Sequence, residues 1–407
     1  MNDNTIYWVW LARTLGAGAK IADIINYFGS PEKLYMAGER EWRISGILTA
    51  RQIASLLKFS PSECGDVLKV CIQNGWQTVT PDDAEYPKRL LEIPDYPAIL
   101  FVWGDKSVLS DEVSISVVGT RKATAYSVRV TEALAQRLAA AGAVIVSGGA
   151  LGIDSASHWG AISANGKTVA VLGCGLGCDY LKDNAALRRE VAKHGAVITE
   201  YFPFTPASRT TFPMRNRIIS GITLGTVVIE AGERSGSLIT ARLALEQGRD
   251  VFAIPGDVIS SAFTGTNRLI HDGAKPVFSA LDILEEYYYN YSQKLNLENA
   301  GLPLGEFVKQ QNHINQKESF KSPGEKFNAV KNDVKSKPKP VSIIRELPQD
   351  ITESAKIVYN VLGEEPMHID DISEKSGLKI AETLAALTEL ELFSLVELTQ
   401  GKNYQKI

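Results

Sequence analysis

Two arginines and an asparagine follow an aromatic in Thr211-Phe212-Pro213-Met214-Arg215-Asn216-Arg217-Ile218-Ile219-Ser220-Gly221. Proline suits a first helical turn, so the segment opens a helix with its cations at the positive end of the dipole. Guanidinium groups bind phosphate through paired hydrogen bonds, and an aromatic face stacks on any base. Arg215 and Arg217 are therefore candidate phosphate contacts, and Phe212 is a candidate stacking platform. The alternative is a structural ion-pair cluster around a core phenylalanine.

Five further stretches share this character. In Ser116-Val117-Val118-Gly119-Thr120-Arg121-Lys122-Ala123-Thr124, Gly119 permits a tight turn from strand to helix. Arg121 and Lys122 then oppose the helix dipole at a cost of about a few tenths of a kcal/mol, a conflict that a bound phosphate removes. Ser147-Gly148-Gly149-Ala150-Leu151-Gly152-Ile153-Asp154 repeats the strand, glycine turn and helix. It lacks the G-x-G-x-x-G spacing with an acidic ribose ligand, so dinucleotide binding is poorly supported. Asp154 and His158, four apart, form either an acid–base pair or a hydrogen bond that holds the loop. Thr168-Val169-Ala170-Val171-Leu172-Gly173-Cys174-Gly175-Leu176 is another such turn, with Tyr180, Lys182 and Asn184 on the loop beyond. In Glu230-Ala231-Gly232-Glu233-Arg234-Ser235-Gly236-Ser237 the carboxylates could act as a base or partner the arginines. Ile254-Pro255-Gly256-Asp257 and Thr264-Gly265-Thr266-Asn267 complete the rim. Many glycine turns and cations, with no assembled nucleophile–base pair and no metal set, point to phosphate cradling without catalysis.

The elements that must position these loops are apolar runs ending in glycine. Strands are expected at 113–118, 143–146, 168–172, 196–199, 226–229 and 250–254, with helices such as 126–141, 185–194 and 238–247 between them. Strands that are continuously apolar are buried on both faces, which means a parallel sheet covered by helices. The expected fold is a Rossmann-like, doubly wound α/β domain, with ligands beyond the carboxyl ends of its strands.

Residues 1–80 alternate short helical patterns with small-residue turns, Leu15-Gly16-Ala17-Gly18 and Ile44-Ser45-Gly46-Ile47, as in helix-hairpin-helix or SAM-like units. Their backbone amides could face a phosphate or serve only the helical bundle. The expected divisions are therefore a helical domain at 1–80, the sheet domain at 81–289, a flexible basic linker at 290–345 and a winged-helix domain at 346–407. In the last of these, a helix through Asp370 and Ile372, a turn at Gly377 and a second helix at 380–390 precede strands at 395–398 and 403–406 around Gly401. That second helix carries Glu382, Glu389 and Glu391 against Lys379, unlike a helix that faces phosphates.

Composition agrees with a nucleic-acid partner once it is read locally. The 407-residue chain is 44% hydrophobic with net charge −4. Residues 105–275 hold 18 Lys and Arg against 15 Asp and Glu, whereas residues 351–407 hold 5 against 10. No run of about 18 apolar residues and no basic leader is visible, and four cysteines make no disulfide scaffold. Cys174 and Cys178 have no second pair at metal-ligand spacing. A cytoplasmic protein without a bound cofactor is expected.

The ordered series SVVGTRKAT, SGGALGIDSASH, TVAVLGCGL, TFPMRNRIISG, EAGERSGSLITARLALEQGRDVFAIPG and GTNRLIHDGA resembles the bacterial DprA (Smf) family of DNA-processing proteins across about residues 80–280. The resemblance implies a dimer that binds single-stranded DNA and loads the RecA recombinase during natural transformation. It also places phosphate-binding roles on Gly119, Arg121, Ser147, Gly148, Gly149, Arg215, Asn216 and Arg217, with Phe212 as the aromatic beside the DNA. Lys122, Lys182 and Asn184 join the candidate set as neighbours of these positions. The chain departs from the family pattern at Gly177 and Tyr180-Leu181, and by an extra residue in Glu200-Tyr201-Phe202-Pro203. Two other functions stay open: a nucleotide-processing enzyme with Glu230 or Glu233 as base, and a sensor for a small nucleotide.

Overall fold

The computed structural model describes residues 4–111, 113–179, 184–300, 304, 351–363, 367–392, 395–399 and 403–406. Lys182, Tyr180, Gly401 and most of the expected linker lie outside these residues. The described chain falls into two compact units, divided between Pro323 and Gly324. Among the described residues no helix is long and apolar enough to cross a membrane.

In the first unit, strands β1 (Gln77–Val79), β2 (Leu100–Gly104), β3 (Ser114–Val118), β4 (Val144–Ser147), β5 (Thr168–Val171), β6 (Gly195–Thr199), β7 (Gly225–Val228), β8 (Asp250–Ala253) and β9 (Lys275–Pro276) form one sheet. Their order is β1-β2-β6-β5-β4-β3-β7-β8-β9. Strands β3 to β9 are parallel, as the continuously apolar runs require. Every residue of β3 is buried, and its two serines are satisfied internally: Ser114 Oγ donates to the Ile222 carbonyl (2.8 Å), and Ser116 Oγ to Thr226 Oγ1 (2.7 Å). Two antiparallel strands, β1 and β2, extend the β6 edge and were not anticipated.

The order reverses between β3 and β7, the topological switch point at which open α/β sheets bind ligands. Helices α6 (Ala125–Ala140), α7 (Ile153–Ser163), α8 (Ala185–His194), α9 (Thr211–Gly221) and α10 (Ser237–Glu246) start just after the carboxyl ends of the strands. Thr124 caps α6 by accepting from the Ser127 amide (3.2 Å).

The N-terminal helices α1 (Thr5–Leu15), α2 (Ala22–Phe28), α3 (Pro31–Ser45), α4 (Ala50–Leu56) and α5 (Gly65–Gln73) share a core with one face of the sheet: Trp8, Trp10 and Leu11 lie in the same apolar cluster as Val146, Val171 and Ile218. The boundary near residue 80 is thus a change of sequence pattern within one packed unit. The first described residues of the segment expected as a linker pack on the sheet unit. Leu295, Ala300 and Leu304 pack into the sheet unit, and the Asn296 amide donates to the Ala141 carbonyl (2.9 Å).

The second unit has helices Glu353–Val361, Ile369–Ser376 and Ile380–Leu392, and a three-stranded sheet of Met367–His368, Asn403–Lys406 and Val396–Thr399. This is the expected winged helix, with a short third strand added.

Candidate nucleic-acid interface

A cleft of about 630 Å³ opens at the switch point. Its wall comes from the β3–α6 loop (Gly119, Thr120, Arg121), the α9 start (Phe212, Arg215, Asn216) and the α10 start (Ser235, Ser237, Thr240).

Three loops are locked together beneath it. The Thr120 amide donates to the Glu230 carbonyl (2.9 Å), and the Ile153 amide donates to the Thr120 carbonyl (3.2 Å). Gly152, at φ +78°, leaves no room for a side chain: a Cβ there would lie 2.5 Å from the Thr120 carbonyl oxygen and 2.7 Å from that of Arg121. Buried Glu230 accepts from both the amide and the hydroxyl of Thr124, each at 2.9 Å. The carboxylate considered as a base is therefore committed to holding the start of α6.

Arg121 is exposed and sets its guanidinium carbon 4.9 Å from the centre of the half-buried Phe212 ring. Phe212 packs on the backbone of Gly173, where a Cβ would come within 2.9 Å of the ring. Exposed Arg209 also lines the cleft, as does Asn216. Arg209 precedes the helix pattern, and no motif marked it in the sequence.

Arg215 lines the cleft from below and is 4% exposed. It donates to the Val171 carbonyl, and Gly148 makes space for it: a Cβ there would collide with both Arg215 and Asp154. Burial pushes the Asp154 carboxyl up from the usual range, and the Arg215 charge opposes the shift. Asp154 accepts from the Ala150 amide (3.3 Å) and so holds the glycine turn. His158 pairs instead with Thr168 Oγ1 (2.7 Å), and burial drives its pKa down to about 3. The two residues make no acid–base pair with each other.

Other expected contacts lie under the cleft. Ser147 is fully buried and donates to the Val117 carbonyl (2.7 Å). Asn184 is buried and donates to the Gly149 carbonyl (3.1 Å) and Ser155 Oγ (3.0 Å). It shapes the Gly149 turn, which has φ +65°. Lys122 is exposed on the β3–α6 loop but does not line the cleft.

Arg217 is placed differently from the expectation. It is 3% exposed, donates to the Glu200 carboxylate and sets its Nε 3.3 Å from Asp95 Oδ2. Glu200 also accepts from the Gly18 amide (3.3 Å), so the first small-residue turn of the N-terminal helices faces a carboxylate of its own chain. Gly177, a departure from the family pattern, packs on the second departure: its amide donates to the Pro203 carbonyl (2.8 Å), and the neighbouring Gly175 amide donates to that of Thr205 (2.9 Å).

Comparison with known proteins identifies the family. The family model for DNA recombination-mediator protein A matches residues 77–288, and a model for the DprA winged helix domain matches residues 345–402. The chain belongs to the DprA family.

Similar DprA proteins include DNA processing protein DprA of Bacillus subtilis, 44% identical over 220 residues, which are 54% of this chain and 74% of the relative. Protein Smf of Escherichia coli is 33% identical over 355 residues, 87% of this chain and 84% of the relative. The X-ray structure of DprA from Streptococcus pneumoniae superposes with a TM-score of 0.62 at 34% identity, covering 70% of this chain and 99% of that one.

Proposed function

We propose that this DprA-family chain binds single-stranded DNA without sequence preference in the switch-point cleft, and does no chemistry on it. The observation that carries the reading is the stacked pair Arg121 and Phe212 on the cleft wall. A base stacks on such a platform only when its face is free, which favours unpaired strands over duplex, where neighbouring bases cover both faces. Arg121, Arg209 and Asn216 meet the backbone, and Arg215 lends positive charge from below. Gly119, Gly148 and Gly149 keep side chains out of the way, while Ser147, Asn184 and Arg217 position the loops. Lys122 adds charge at the margin, and Lys182, outside the described residues, is kept as a candidate contact.

The capture of Glu230 by Thr124 argues against a nucleotide hydrolase using that carboxylate. We further assign loading of the RecA recombinase onto the bound strand, in natural transformation and recombination, by a cytoplasmic homodimer. The family's description as a recombination mediator supports the recombination part of this assignment. RecA filament growth on strands coated with single-strand-binding protein tests the loading. Acceleration by this chain is expected, and none would refute that part alone. Sedimentation tests the dimer.

A further inference from the structure

Val258 and Ile259 are 88% and 90% exposed on the loop that follows β8. Both are β-branched aliphatics, and the loop displaying them is built rigidly. Asn267 grips Gly256 from both sides, accepting from its amide and donating to its carbonyl, each at 3.1 Å. The Ile259 amide donates to Asp257 Oδ1 (3.0 Å), which fixes the tip itself. Phe263 is buried against the exposed Tyr126 ring (centroids 6.2 Å apart) and plugs the far end of the loop. A fixed tip that shows two adjacent aliphatic side chains to solvent offers a preformed apolar contact.

The tip stands on the same sheet edge as the cleft. β8 is parallel to β7 and next to it, so the loops after both leave at the carboxyl end. The Gly265 amide donates to the Ala231 carbonyl (2.8 Å), and a Cβ on Gly232 would lie 3.1 Å from the Ser261 carbonyl oxygen. The 257–263 loop therefore abuts the 231–236 loop, whose Ser235 and Gly236 wall the cleft and whose Arg234 is exposed.

We propose that Val258 and Ile259 form an apolar wedge that packs against nucleobases of the strand after it leaves the cleft. This rests on the reading of the cleft as a single-stranded DNA site and extends that site by a second, uncharged contact. Aliphatic side chains insert between base steps in minor-groove complexes and partly unstack them, which shows that such side chains can pack on base faces. Asp257 at the same tip disfavours phosphate, so the contact is to bases and the backbone runs on the Arg234 side.

The test is the double variant Val258→Ser/Ile259→Ser of the full chain. It is titrated against oligo-dT of about six nucleotides, enough for the cleft, and of about twenty. The expected result is unchanged affinity for the short strand and about a 10-fold loss for the long one, with the slope of log K against log salt unaltered. A long strand made abasic outside the cleft-binding segment should bind the wild-type chain as weakly as the intact strand binds the variant. Equal affinity of wild type and variant for the long strand overturns the wedge and leaves the cleft reading standing. The same holds if the variant changes only the sedimentation of the chain, which would make the tip a contact between copies. Failure of the wild-type chain to bind the short strand would refute the cleft reading instead.

Discussion

Arg217 and Glu200 form a buried ion pair that joins α9, whose first turn lines the cleft, to the N-terminal helices, because Glu200 also takes the Gly18 amide. Both side chains are 4% exposed. Removing one charge strands the other, at a cost of about 3–5 kcal/mol, whereas replacing both by apolar groups of similar volume is often near neutral. Arg217→Met is therefore expected to lower unfolding free energy by that amount in urea titrations, and Arg217→Met/Glu200→Leu to recover most of it. Single-stranded DNA affinity per folded molecule should change little in the single variant. A large loss of affinity without loss of stability would return Arg217 to the DNA.

Phe212→Ala is expected to weaken binding to single strands of every sequence by about 1–3 kcal/mol. Arg121→Ala should weaken binding and reduce the steepness of its salt dependence by about one phosphate contact. Anisotropy titrations at several salt concentrations read both effects, and a loss confined to one sequence would argue for base-edge recognition.

How much of this was legible in the sequence depends on the element. Six of the seven sheet strands after residue 113, β3 to β8, were visible because burial on both faces writes itself as uninterrupted apolar runs, whereas β9 is only Lys275-Pro276. Strand β2 shows the same signature in Leu100-Phe101-Val102-Trp103, and its place beside Pro97 obscured it. Arg215 and Arg217 looked equivalent in the motif, yet residues two apart on a helix are about 200° around its axis and cannot serve one ligand. The structure sends them to opposite partners, Asp154 with the Val171 carbonyl and Glu200 with Asp95. Helical geometry alone could have separated them, but not which of the two faced the cleft. Arg209 was invisible because its position depends on how the preceding loop folds.

Gly152→Ala is expected to lower both stability and DNA affinity. At φ +78° and ψ −126° the backbone lies in a region almost confined to glycine, costing another residue about 1–3 kcal/mol, and the added carbon would press on the Thr120 and Arg121 carbonyls. Gly46→Ala is the control: its φ is +66° with nothing within 4 Å of a Cβ, so stability should drop without an effect on binding. Equal affinity losses in both would mean that the locked loops are irrelevant to the site.

His158 makes the fold acid-sensitive. Its folded pKa of about 3 lies below the ordinary 6.5 of a histidine, so the proton binds the unfolded chain more tightly. The stability this provides is complete above about pH 6.5 and is lost as pH falls toward 3, with a limiting slope of about 1.4 kcal/mol per pH unit. Urea unfolding between pH 7 and pH 4 should show this loss, and His158→Gln should flatten it. An unchanged slope in the variant would place the acid sensitivity elsewhere.

The most direct test of the DNA-binding account is the anisotropy of a labelled oligo-dT titrated with the full chain at several salt concentrations, with duplex DNA as competitor. The account predicts tight binding that weakens steeply with salt, survives excess duplex, and falls in Arg121→Ala and Phe212→Ala alike. No binding at low salt, or binding that neither substitution alters, would contradict it.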